Sequence, residues 1–136
     1  MTTKTVIVET EADVTALWRT AMNDIEFAHR QLWYVFADED GELLPVLNSV
    51  DDLPREPDFD LLDNLGWVMR KVRDRHTMRG RIAVLMTRPG RGSLNKNDAQ
   101  WVRAIEEMLL NHSLFAWPTH FGNAAYLKRV MPDDIV

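Results

Sequence analysis

Residues 82–98 read IAVLMTRPGRGSLNKND. Six apolar or β-branched residues in a row, 82–87, fit a central strand covered on both faces. The polar stretch 88–97 that follows contains two glycines and predicts a loop, with Asn95 or Asn97 as the cap of a helix spanning about 98–111. A buried strand leading through a polar loop into a helix is the unit of an α/β layout, and ligands commonly bind at the strand end of that unit. Arg88, Arg91 and Lys96 bring positive charge there, and Asn95 and Asp98 stand at the helix start. These five residues are the candidate ligand or anion site, because free amides at a helix N-terminus attract anions. The plainer alternative is a solvent-exposed connection with a capped helix. The loop has neither the G-x-x-x-x-G-K-[ST] of a phosphate loop nor the third glycine of a dinucleotide fingerprint.

Working outward, LWYVFA (32–37) predicts a strand apolar on both faces, followed by the turn signal Asp40-Gly41 and a return strand, ELLPVLN (42–48). Pro45 marks that return strand as an edge or a bulge. TVIVE (5–9) predicts a first strand, and Thr10 caps an amphipathic helix carrying Val14, Leu17, Trp18, Ala21, Met22 and Ile25. A second helix is expected over 59–76, capped by Asp58 or Asp60. Gly66 sits in its middle at a cost of about 1 kcal/mol unless close packing uses it. Trp18, Trp67 and Trp101 fall in or beside helical stripes and are assigned to the core. LFAWPTHF (114–121) predicts a strand in which Phe115, Trp117, Thr119 and Phe121 share a face. Gly122-Asn123 predicts a two-residue turn into AAYLKRVM (124–131). The expected fold is α/β (α+β): a single domain, 1–136, with one mixed sheet of about six strands and three helices.

The run 82–130 resembles the C-terminal half of RadC-like proteins of the JAB/MPN metalloprotease superfamily, and the preceding hairpin and helix extend the likeness to about residues 30–130. In that family a buried strand ends in H-x-H-P, and a loop leads to S-x-x-D at a helix start. Here those positions read Met86, Thr87, Arg88, Pro89 and Asn95, Lys96, Asn97, Asp98. Both zinc-binding imidazoles are replaced. The resemblance therefore implies a metal-free, cofactor-free member without the hydrolase chemistry, and no stoichiometric zinc is expected. Glu9, Glu26 and Glu42 are all open matches for the family's catalytic glutamate, and each reads more simply as a solvated surface acid.

The net charge of −5 hides an asymmetry. Residues 1–58 hold 4 basic and 13 acidic side chains, and residues 59–136 hold 12 basic and 8 acidic. The basic excess is densest from Arg70 to Arg91. The four histidines are scattered, and a structural role is expected for His112 and His120. There is no cysteine, which excludes disulfides and thiolate metal sites and fits a reducing cytoplasm. The start of the chain shows no apolar run long enough for a signal peptide, and no stretch reads as a membrane span.

Three function classes follow, ranked in this order. The first is a non-catalytic interaction or scaffold domain whose partner is another protein or a second copy. Its candidate interface is Phe115 and Trp117, with the edge at Pro45 as a second place for pairing. The second is a nucleic-acid or phosphate binder using 70–91 and the 88–97 loop. The third is a small-molecule enzyme with a pocket around Asp98.

Overall fold

A computed structural model describes residues 6–76 and 79–135. In chain order the elements are α1 (Glu11–Ala21), β1 (Gln31–Phe36), β2 (Asn48–Val50), α2 (Phe59–Arg75), β3 (Ile82–Thr87), α3 (Lys96–Asn111), β4 (His120–Gly122), β5 (Leu127–Arg129) and a terminal 3-10 turn (Pro132–Ile135). The strands form one mixed sheet in the order β2-β1-β3-β4-β5. Only β3 and β4 run parallel; every other neighbour is antiparallel.

Side-chain alternation divides β1 and β3 between two apolar layers. Leu32, Tyr34, Phe36, Ile82, Val84 and Met86 pack under α2 and α3. Trp33, Val35, Ala83 and Leu85 pack with Val14, Trp18 and Met22 of α1 on the opposite face. Both strands are therefore covered on two sides, which is why neither shows an apolar–polar alternation. The helix starts follow local chemistry. Thr10 with Asp13, and Asn95 with Asp98, form reciprocal capping boxes, and Asp58 caps α2. The Asn95 box starts α3 two residues before the expected Asp98.

The sheet has five strands where about six were expected, and proline is the main reason. After Leu43 the chain leaves the sheet, because Pro45 offers no ladder donor and Val46 N–H turns back to Leu44 O at 2.7 Å. It returns only at β2, so 42–48 is not a continuous strand. At the N-terminal segment the described residues make a single bridge, Ile7 to Glu42. Thr5 lies outside the described residues.

The expected strand 114–121 is interrupted at Pro118. Ala116 bridges Ile82, and His120 pairs with Leu85, so four residue steps on one chain face three on β3. This is a bulge, and it reverses the side-chain alternation. Trp117 consequently packs with the α1 layer and Phe121 with the α2/α3 layer, and the four residues 115, 117, 119 and 121 do not share one face. The turn after β4 is also longer than two residues. Asn123 Oδ1 accepts from the amides of Ala125 and Tyr126, both at 2.9 Å, closing a four-residue loop before Leu127.

Trp18 and Trp101 are fully buried, but Trp67 is 50% exposed, contrary to its core assignment. It lies against the His112 ring with Arg70 above it. That arrangement explains Gly66. His112 ends α3, and its Nε2 lies 2.8 Å from Asp63 Oδ1. A Cβ on Gly66 would sit 2.3 Å from His112 Cδ2. Gly→Ala in a helix normally stabilises by about 1 kcal/mol. At this position overpacking reverses the sign, and Gly66→Ala is expected to lower stability by about 1–2 kcal/mol in urea melts.

Candidate functional site

The loop that leaves β3 is organised around Arg88. Its Nε donates to both carboxylate oxygens of Asp98, at 2.8 and 3.0 Å. Its Nη1 donates to Pro89 O at 2.9 Å, and its Nη2 donates to Gly92 O and Ser93 O at 3.2 and 3.1 Å. The guanidinium lies over the Phe121 ring. Asp98 is fully buried and also accepts from the Asn95 amide at 2.9 Å, while Arg30 Nη2 stands 3.9 Å away. Arg88, Asn95 and Asp98 thus come together as an internal clamp that shapes the loop. Arg91 and Lys96 remain on the surface, and Arg91 reaches only toward Ala124 O at 3.5 Å. Asn123 Nδ2 ties the same loop to the β4–β5 turn through Gly92 O at 2.8 Å.

The residues at the family's metal position do not fit a divalent cation. Met86 is buried in the α2/α3 layer. Arg88 places a fixed positive charge beside the one carboxylate, Asp98, and occupies both of its oxygens. Among the described residues, no group of three or more His, Cys, Asp or Glu side chains could hold a metal ion.

His120, fully buried on β4, faces α1. Its Nδ1 lies 3.2 Å from Pro118 O, a group that only accepts, so the proton of the neutral ring belongs on Nδ1. Nε2 then accepts from the Thr15 hydroxyl at 2.7 Å. Burial lowers the His120 pKa below its ordinary 6.5; the Pro118 carbonyl and Glu11 act the other way, and Arg129 and Arg19 add to the lowering. The neutral ring is thus favoured in the folded state, and an unfolded chain takes up this proton first as pH falls. The His120 contribution to stability is complete above about 6.5 and is lost progressively below it, down to the lowered folded value. Denaturant melts at about pH 7 and about pH 5 should show that decline in the wild type and a shallower one in His120→Asn. An equal slope in both would remove His120 as its source.

At the opposite end of β3 the surface opens into two adjoining hollows of about 470 and 600 Å³. They share Ala37, Arg79, Gly80, Arg81 and Phe115. The first hollow is closed by Arg73 and Asp74 at the end of α2. The second is closed by the turn Asp38-Glu39-Asp40-Gly41, by Glu9 and by Trp117. Phe115 stands between them, 76% exposed. Its backbone is fixed: Phe115 O accepts from Ile82 N at 2.8 Å, and Trp117 N donates to Ile82 O at 2.9 Å. The Arg81 guanidinium covers the Trp117 ring, 4.4 Å from its centroid. The two interface candidates of the sequence, Phe115 and Trp117, therefore meet at one crevice, with Phe115 presented outward and Trp117 half-buried in its wall. Sequence reasoning missed Asp38–Asp40 and Arg79–Arg81 as its walls. Their only signal was the acidic first part and basic second part of the chain.

No family model matches this chain, and neither a curated protein nor a solved structure matches it. Among the described residues no helix is long and apolar enough to cross a membrane.

Proposed function

We propose that this chain is a non-catalytic protein-interaction or scaffold module, with a JAB/MPN-like, RadC-like architecture that has given up the zinc ligands. The observation that carries the reading is the Phe115 ring, exposed and mounted on rigid sheet backbone between arginines and an acidic turn. Aromatic and arginine side chains are enriched at protein interfaces and dominate their binding energy. The partner is a protein, either another chain or a second copy. A cytoplasmic setting belongs to the same proposal and fits a chain without cysteine.

The other two classes find less support. The basic stretch 70–91 does not present one phosphate-facing surface: Arg70 covers Trp67, Arg73 holds Ser113 O and Asp74, Arg81 covers Trp117, and Arg88 turns inward. The acidic turn on the facing wall would repel a phosphate backbone. An acid–base role for Asp98 requires an accessible carboxylate, and this one is buried under two arginines.

A photoreactive benzoylphenylalanine at position 115, activated in cells that express the chain natively, tests the proposal. The expected product is a discrete protein adduct that disappears when Arg81→Glu is introduced. Adducts to nucleic acid alone, or no protein adduct, reject it.

A further inference from the structure

We infer that the occupant of the Phe115 crevice is a second copy of this chain, joined in a two-fold dimer. This rests on reading the crevice as an interaction surface and specifies its partner.

The walls of the crevice carry opposite charge. Arg79 and Arg81 line one side, and Asp38, Glu39 and Asp40 line the other. Opposite charges bordering one hollow would normally be expected to pair. Here they do not: among the described residues, Glu39, Asp40, Arg79 and Arg81 form no ion pair, and their side chains form no hydrogen bond. Asp38 Oδ1 is taken up internally by the amides of Asp40 and Glu42, both at 2.9 Å. The turn is therefore held in shape while the two carboxylates beyond it stay available.

An occupant must offer positive charge to the turn, negative charge to the arginines, and an apolar surface to Phe115 between them. The chain presents that same series itself, in the reverse sense. A two-fold axis near Phe115 places each acidic turn against the other copy's Arg79 and Arg81, and the two Phe115 rings against each other. This is the condition for a closed interface, in which residue i meets j and j meets i. A partner of one charge sign would satisfy one wall and be repelled by the other. The segregation of acid before residue 58 and base after it thereby becomes a self-complementary surface. Gly80 brings the walls together, because its missing side chain lets 79–81 pass against the carbonyls of Ala37 and Asp38.

Sedimentation equilibrium on the purified full chain, from micromolar to hundreds of micromolar, reads the association directly. The wild type should form a dimer whose affinity falls as salt rises. Phe115→Ser should be monomeric with native circular dichroism and an unchanged melting temperature, since the ring is already exposed. The double variants Arg79→Glu with Arg81→Glu, and Glu39→Lys with Asp40→Lys, should each self-associate on the order of 100-fold more weakly. Mixed in equal amounts, they should form a heterodimer, because both contacts of the two-fold are restored with signs exchanged. A wild type that stays monomeric overturns the inference, as does a dimer unaffected by both reversals or a mixture that does not associate. A monomeric wild type together with a position-115 adduct to a different protein overturns the second copy and leaves the interaction module standing.

Discussion

Arg88→Ala is expected to destabilise the protein by about 3–5 kcal/mol, the cost of leaving a buried charge without its partner. Asp98 is fully buried, and Arg88 supplies both of its close guanidinium contacts. Arg30, 3.9 Å away, offsets part of the loss and places the effect toward the lower end of that range. The same substitution releases the carbonyls of Pro89, Gly92 and Ser93. Urea unfolding should therefore show a large fall in midpoint, and hydrogen exchange should rise across 89–95. Arg88→Lys should recover little, since an ammonium cannot match the bidentate geometry. If Arg88→Ala melts within about 1 kcal/mol of the wild type, the clamp is not what holds this region.

Gly80→Ala has the second large effect, about 3 kcal/mol or more. An added Cβ would lie 2.0 Å from Asp38 O and 2.4 Å from Ala37 O. Both are backbone atoms, so no rotamer change relieves the overlap. The end of β1 must separate from the chain entering β3, and the Ala37 N–H to Arg81 O bond, at 3.0 Å, stands in the way. The contrast with Gly66 is informative, because there the obstacle is an imidazole ring. A Gly80→Ala protein with a wild-type midpoint would show that 79–81 can shift without cost.

The layered core was legible because continuous apolar runs and caps are local signals. IAVLMT and LWYVFA each announce a strand covered on both faces, and Thr10, Asp58 and Asn95 announce helix starts with their own side chains. The strand count was less legible, because prolines at 45 and 118 interrupt pairing without changing apolar composition. The bulge at Pro118 was open as one of two readings, but its effect on which face each aromatic occupies depends on pairing with β3. Trp67 fits a helical stripe by spacing and yet lies outside, because the His112 ring takes the place over Gly66. The five candidate anion-site residues are adjacent in sequence, and the direction of Arg88 depended on a buried acid that spacing alone left uncertain. The crevice was the least legible feature. Its walls come from 38–41, 73–81 and 115–117, and only the fold makes them neighbours.

The Arg88 clamp separates the shape of a loop from the loop's own letters. Three carbonyls and a carboxylate wrap a cation that belongs to the preceding strand end, much as a crown ether wraps its guest. The template lies inside, so the outward side chains at Arg91 and Ser93 contribute little to the conformation they decorate. Such a loop can be rewritten at those positions without losing its outline. Recognition sequence could be changed or grafted there while the guest and its carboxylate anchor stay in place.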